Sequence, residues 1–178
     1  DGGTALHLAA AKGLVEAATK LINAGANISE QDNEKRQPLH KACSEGHTDL
    51  AKLLLDNKAD INASKHKDAT PLHEACWPGY LDVVKLLIDR GANTKITNEE
   101  GWSPLHAASQ HGHTEVVEVL LQRQANVGMG KDDERTPLHL ASKKGNEDIV
   151  KQLLKAEAKV DVKDKDGKTA LHLASGAG

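Results

Sequence analysis

The stretch Thr136-Pro137-Leu138-His139 decides the fold of this chain, because the same four-residue box recurs along it at one fixed spacing. Its six copies follow one another every 33 residues and begin at Thr4, Gln37, Thr70, Ser103, Thr136 and Thr169. A self-similar period of about 20 to 50 residues is the mark of a repeat array, whose members bury their apolar faces against one another. We therefore number six repeats, each starting at its box.

The box itself predicts the start of a helix. A hydroxyl side chain at the N-cap, followed by proline at the first helical position, is a strong start signal, whereas Gln37 is a poor cap. The box leucine is expected to face the core. The box histidine can hydrogen-bond through both ring nitrogens and so tie its own turn to a neighbouring backbone segment. The boxes thereby give six of the ten histidines a structural role.

Each full repeat is predicted to hold two helices. The first ends at a glycine, for which a left-handed backbone conformation is expected, and this glycine recurs as Gly13, Gly46, Gly79, Gly112 and Gly145. The second carries an apolar stripe, which is richest around Leu87 in repeat 3. Truncating Leu87 to alanine should cost about 2–5 kcal/mol of stability. The leanest stripe belongs to repeat 1 and consists of Ala17, Ala18, Leu21 and Ile22.

These motifs resemble the ankyrin repeat family, which has a 33-residue period and a T-P-L-H-x-A box. The resemblance covers the whole chain and implies an all-α solenoid of stacked helix-turn-helix units with hairpin-like finger loops between them. Residues 1–178 are expected to form a single array of five near-complete repeats plus half of a sixth, cut from a longer protein.

Two turn positions depart from the pattern of the family in three copies each. The finger glycine is kept as Gly101 and Gly167, whereas other residues replace it at Lys35, Asp68 and Glu134. The glycine after the second helix is kept as Gly25 and Gly91 and is replaced at Lys58, Gln124 and Glu157. Each replacement should cost up to about 1 kcal/mol if φ is positive there.

Composition narrows the possible classes of protein. Aromatic residues make up 2% of the chain and phenylalanine is absent, which suits helices packed through alanine and leucine rather than a core of large rings. The net charge of −3 gives no global attraction to nucleic acid or to an anionic membrane. No apolar run reaches the roughly 18 residues of a membrane span. We therefore expect neither nucleic-acid binding nor membrane insertion.

The two cysteines, Cys43 and Cys76, lie one period apart on equivalent first helices. Equivalent helices in a stack are about 8–10 Å apart, whereas the Cα atoms of a disulfide lie within about 7 Å. We expect two buried free thiols, which favours the cytoplasm, or alternatively the nucleus, as the location.

No constellation of residues predicts catalysis or a cofactor. The chain lacks a phosphate-binding loop of the G-x-x-x-x-G-K-[ST] type, and its cysteines and most histidines lie at box or core positions. His111 and His113 flank a helix-closing glycine without further ligands at a suitable spacing, whereas tetrahedral zinc needs four ligands. The prediction is a non-enzymatic protein with no metal and no cofactor.

The three aromatic residues, Trp77, Tyr80 and Trp102, point to a binding surface. Trp77 and Trp102 stand where the other repeats vary, whereas a core position would be apolar in every copy. In proteins that resemble ankyrin repeats, these variable positions carry target-binding residues on a concave groove of fingers and first helices. Trp and Tyr are enriched among binding hot spots. The alternative is that Trp102 covers the adjacent box while Trp77 packs on Pro78.

The predicted groove centres on repeats 3 and 4 and takes a protein or peptide ligand. Around the aromatic residues and Pro78, its polar rim is expected to comprise Arg36, Gln110, His111, Arg135, Lys143 and Lys144. Separately, the segment ending at Asn62 resembles the ankyrin segment that asparaginyl hydroxylases modify, with Asn62 as the acceptor.

The sequence leaves several functions open. The leading interpretation is a non-catalytic scaffold or adaptor that recognises proteins. A second is a regulatory or targeting arm of a larger enzyme or ion channel, and a third is a structural spacer without a tight partner. End-to-end self-association through the terminal repeats is a further possibility, because apolar helix faces at the ends could stack between molecules.

Overall fold

The structure is a computed structural model that describes residues 2–176 and contains two compact units, with the boundary between Asn93 and Thr94. Its described residues form α-helices, one 3-10 helix (His66–Asp68) and no strand. Unit 1 holds α1 (Ala5–Ala11), α2 (Val15–Asn23), α3 (Pro38–Ser44), α4 (Thr48–Asp56), α5 (Pro71–Cys76) and α6 (Leu81–Asp89). Unit 2 holds α7 (Pro104–His111), α8 (Thr114–Gln122), α9 (Pro137–Lys144), α10 (Glu147–Lys155) and α11 (Ala170–Ser175).

Helix pairs stack within each unit, which confirms the predicted all-α repeat fold. In unit 1 the first helices pack in the order α1, α3, α5 and the second helices in the order α2, α4, α6. In unit 2 the first helices pack in the order α7, α9, α11, and α8 packs on α10. Each second helix also packs on the first helix of its own repeat.

The box starts a helix in all six repeats, as predicted, and its histidine completes the cap. In repeat 4 the backbone N–H of Ser103 donates to Nδ1 of His106 at 3.1 Å, and the Ser103 hydroxyl lies 2.8 Å from the same atom. The second ring nitrogen, Nε2, donates to the carbonyl of Arg135, the residue directly before the next box, at 3.1 Å. Nε2 must be the donor, since a carbonyl can only accept a hydrogen bond. The histidine therefore ties the cap of its own box to the backbone directly before the next box.

Gln37 is the poor cap that the sequence predicts. Its backbone N–H still donates to Nδ1 of His40 at 3.2 Å. Its side-chain oxygen Oε1, however, is buried without a hydrogen-bond partner in the described part of the chain. A buried acceptor without a partner carries a desolvation cost of about 1–3 kcal/mol.

The turn positions adopt the expected left-handed backbone. The helix-closing glycines have φ between 66° at Gly13 and 84° at Gly79. The positions without glycine also have positive φ, from 56° at Lys35 to 69° at Lys58. Since φ is positive there, each replaced glycine should cost the predicted stability of up to about 1 kcal/mol.

The core consists of leucine, valine and alanine from both helices of each repeat. Leu87, Cys43 and Cys76 are completely buried, and both thiols are free, as predicted. The stripe predicted for repeat 1 is wrong at Ala17, which is exposed because α2 turns only Ala18 fully inward. Burial raises the pKa of both thiols, which makes them poor nucleophiles.

The fingers between repeats are tight turns rather than strands. The finger at residues 98–102 closes through a bond from the Asn98 N–H to the Trp102 carbonyl at 2.9 Å. The Asn98 side chain also accepts hydrogen bonds from the N–H groups of Glu100 and Trp102 at 3.0 and 2.9 Å. Successive fingers are linked within unit 2, where the Asp132 N–H donates to the Glu100 carbonyl at 3.2 Å.

Candidate functional site

Trp77 is the most exposed aromatic side chain of unit 1. It is the C-cap residue of α5, and half of its surface is accessible to solvent (50%). Pro78, which follows it, is exposed as well. Trp77 thus lies outside the core at the end of a first helix, although the chain has few aromatic residues.

Tyr80 belongs partly to the packing of unit 1. It is the N-cap residue of α6 and is 37% exposed. Its ring lies directly over Gly46, so that a Cβ atom at Gly46 would come within 2.9 Å of it. His47 lies over Gly13 in the same way, with its Nε2 atom 3.2 Å from the Ala11 carbonyl. Tyr80 thus covers the preceding repeat and leaves the rest of its ring to solvent.

Trp102, in unit 2, is half-buried by its neighbours. Its ring meets the ring of box His106 edge-on, with centroids 6.2 Å apart. The ammonium group of Lys131 lies 5.1 Å from the centre of the Trp102 ring, within range of a cation–π interaction. Trp102 therefore does contact the adjacent box, as in the alternative interpretation. The two tryptophans fall in different compact units.

The two predicted rim arginines are held in ion pairs. In unit 1, the Nε atom of Arg36 lies 2.8 Å from Asp32, and its terminal nitrogen lies 2.9 Å from Glu34. In unit 2, Arg135 contacts Asp164 at 3.0 Å and also pairs with Asp133 and Asp166 at 3.4 and 3.3 Å. Both guanidinium groups order the fingers, which limits their freedom to turn toward a ligand.

Two of the carboxylates in these pairs, Asp32 and Asp164, have lowered pKa values. Burial would raise the pKa of Asp32, but hydrogen bonds from Arg36 and from the Glu34 N–H lower the pKa to about 2. Asp164 also has a pKa below its ordinary value, because hydrogen bonds from Lys168, Arg135 and Asp166 outweigh its burial. Both side chains remain negative at neutral pH.

The remaining rim residues lie at the ends of α7 and α9 in unit 2. His111, Lys143 and Lys144 are exposed, whereas the side-chain oxygen of Gln110 is buried without a hydrogen-bond partner in the described residues. Partial burial, with the charges of His113 and Lys144 nearby, lowers the pKa of His111. The exposed members present mainly positive charge at this end of the first helices.

Asn62 lies between two repeats of unit 1. Its side-chain oxygen accepts a hydrogen bond from the Asn93 N–H at 2.9 Å, and its own N–H donates to Asp60 at 2.9 Å. A hydroxylase would have to break the bond to Asn93 to present this side chain in an extended segment. Modification of Asn62 stays a prediction.

The described residues hold no group of three or more His, Cys, Asp or Glu side chains that could bind a metal ion. His111 and His113 stack with their ring centroids 6.1 Å apart.

Among residues 2–176, no helix combines the length and apolar character needed to cross a bilayer.

Sequence reasoning missed the residues that shape the fingers. Asp32, Asn98 and Asp164 accept backbone hydrogen bonds in their own fingers, which is the usual role of Asp and Asn in turns. Their spacing of 66 residues is the signal that could have revealed them. The contact between Lys131 and Trp102 was missed because no local pattern brings residues 29 positions apart together.

Comparison with known proteins agrees with this architecture. The family model described as "Ankyrin repeats (3 copies)" matches residues 6–98, 63–130, 90–164 and 124–178, which overlap along nearly the whole chain. A comparison with curated protein sequences gives no match. Ankyrin repeats are generally protein–protein interaction modules, and their fold is typically non-catalytic. Box, period, stacked helix pairs and matched residues together place this chain in the ankyrin repeat family.

Proposed function

We propose that the chain is a scaffold or adaptor module that recognises a protein or peptide through the ends of its first helices and its fingers, without catalysis. The observation that carries this proposal is the exposure of Trp77 at the end of α5. Trp is enriched among binding hot spots, and half of the surface of Trp77 is accessible to solvent.

Two groups of residues support the proposal, one in each compact unit. Unit 1 offers Trp77 and Pro78, with the outer part of Tyr80, as an apolar contact. Unit 2 offers Trp102 and the exposed polar side chains of His111, Lys143 and Lys144. Either group could serve as the centre of a standard interface, which buries about 800 Å² per partner. The ion-paired Arg36 and Arg135 then act mainly by ordering the fingers.

The proposed setting is the cytoplasm or the nucleus, where the free thiols Cys43 and Cys76 remain reduced. A partner held by aromatic anchors needs no cofactor from this chain. Self-association of terminal repeats is a competing use of exposed apolar side chains such as Leu8 and Leu171.

Capture of partners from cell lysate tests the proposal. We would compare the wild-type chain with three single variants, Trp77→Ala, Trp102→Ala and Leu8→Ala. Leu8 is the matched control, because it is also a large exposed apolar residue on a first helix of unit 1. All proteins would first be shown to melt alike, so that any loss of partners reflects the surface.

The proposal predicts partners that are lost with Trp77→Ala or Trp102→Ala and kept with Leu8→Ala. Retention of every partner by both tryptophan variants would contradict it and favour a spacer. Loss with Leu8→Ala alone, together with concentration-dependent mass, would indicate stacking between copies of the chain.

A further inference from the structure

The contact between Lys131 and Trp102 in unit 2 has no role in closing a finger. The finger at residues 131–135 closes through backbone bonds, from the Lys131 N–H to the Arg135 carbonyl at 3.1 Å and from the Glu134 N–H to the Lys131 carbonyl at 2.7 Å. At the equivalent position, Asn98 and Asp164 cap their fingers with side-chain oxygens. A lysine side chain has no acceptor atom and cannot do so.

The Lys131 side chain instead bridges an aromatic ring and a carboxylate. Its ammonium nitrogen lies 5.1 Å from the centre of the Trp102 ring and 2.6 Å from Oδ2 of Asp133. Burial would raise the pKa of Asp133, but hydrogen bonds from Lys131 and from the Arg135 N–H hold it below its ordinary value. The ring and the carboxylate thus form a cation-binding site, and the ammonium group of Lys131 occupies it.

The surroundings of this cation-binding site are acidic. The two adjoining fingers, residues 98–102 and 131–135, are joined by the bond between the Asp132 N–H and the Glu100 carbonyl. They carry five acidic and two basic side chains, and both basic ones are ion-paired. The exposed acidic side chains are Glu99, Glu100, Asp132 and Glu134. Such a surface attracts positively charged segments and speeds their association.

We propose that the ring of Trp102, with Asp133, is a binding site for an arginine or lysine side chain from a basic segment of a partner protein. Lys131 holds the site in the free chain and is displaced when the partner binds. This inference rests on the proposed function, because it assigns a chemical class to the partner of unit 2. After displacement of Lys131, the partner's cation lies on the ring in its place. The acidic fingers then gain positive charge from the partner.

The probe is a short synthetic peptide of alternating arginine and glycine, with an alternating glutamate and glycine peptide as its control. The chain has two tryptophans, so its two indole N–H signals in a nitrogen-15 NMR spectrum can be assigned with Trp77→Phe. At physiological ionic strength the basic peptide should shift the Trp102 signal saturably. The acidic peptide should leave it in place.

Substitution of Lys131 separates displacement from general electrostatics. Lys131→Gln should bind the basic peptide about two- to fivefold more tightly, since no internal cation–π contact has to be broken. Lys131→Arg, which keeps a cation on the ring, should bind like the wild type. Lys165→Gln is the matched control, because it removes the same charge from an exposed lysine of the next finger, and it should tighten binding less.

Three results would overturn the inference: an unmoved Trp102 signal, equal effects of Lys131→Gln and Lys165→Gln, or a Lys131→Gln variant that loses thermal stability without any gain in affinity. The last result would make Lys131 a packing residue. If tryptophan-dependent partners are captured from lysate while the basic peptide fails to bind, the proposed function stands and this inference falls.

Discussion

The box histidine forms hydrogen bonds both to the cap of its own helix and to a backbone carbonyl far along the chain. In His40, Nδ1 accepts from the Gln37 N–H at 3.2 Å, and Nε2 donates to the Ala63 carbonyl at 3.0 Å. Burial lowers the pKa of His40 and of His106 to about 4, even though their bonds to backbone carbonyls act in the opposite direction. Both rings are neutral in the folded chain at physiological pH.

This burial predicts a loss of stability in mild acid. The folded pKa lies below the ordinary value of 6.5, so that between these two values the unfolded chain binds more protons and stability falls as the pH decreases. From pH 7.5 to 5.5, each of the two histidines should cost about 1 kcal/mol. Urea unfolding at the two pH values measures the sum.

The control is His106→Gln, which removes one titrating ring and should make the pH dependence shallower, whatever its own cost in stability. The carboxylates of Asp32 and Asp164 do not interfere, because the stability they contribute is lost only below about pH 5, as the pH falls through their ordinary pKa of 3.8 toward the lowered folded pKa. An unchanged slope in His106→Gln would refute the assignment of the acid sensitivity to the buried rings.

At the scale of elements, the sequence predicted helices better than fingers. Helix starts and stops are local, since a cap, a proline and a closing glycine lie within a few residues of the end they determine. The fingers depend on contacts between successive repeats, such as the bond from the Lys165 N–H to the Asp133 carbonyl at 3.0 Å. The paired state of Arg135 and the covered ring of Trp102 follow from those contacts, so they could not be derived from spacing alone.

Comparing alanine variants of two finger glycines distinguishes the cost of backbone strain from the cost of a steric clash. Gly101 and Gly167 have nearly the same φ, 74° and 73°. A Cβ atom at Gly101 would lie 2.8 Å from the Cα of Lys131, whereas one at Gly167 would meet nothing within 4 Å. Both alanine variants should therefore lose about 1 kcal/mol through left-handed strain, and Gly101→Ala should lose clearly more.

Thermal or urea unfolding of the two variants, measured side by side, gives this difference directly. The clash at Gly101 involves backbone atoms of the adjoining finger, which cannot rotate away as a flexible side chain could. Equal losses for Gly101→Ala and Gly167→Ala would show that the fingers are not held as closely as the structure has them.

For the whole molecule, the repeat period was the decisive information. A 33-residue period predicted the fold class and the family, and the stacked helix pairs and the matched residues confirmed both. The candidate site was less accessible, because exposure at Trp77 follows from the packing of whole repeats. Its use by a partner depends on a second molecule that the sequence does not contain.

We expect Trp77 to anchor a protein partner. Isothermal titration of a purified partner against the wild-type chain and Trp77→Ala tests it most directly, with equal melting temperatures as the condition for comparison. A hot spot predicts a loss of at least about 2 kcal/mol, which corresponds to about a thirtyfold loss of affinity. An unchanged affinity would contradict the claim and remove Trp77 from the recognition surface.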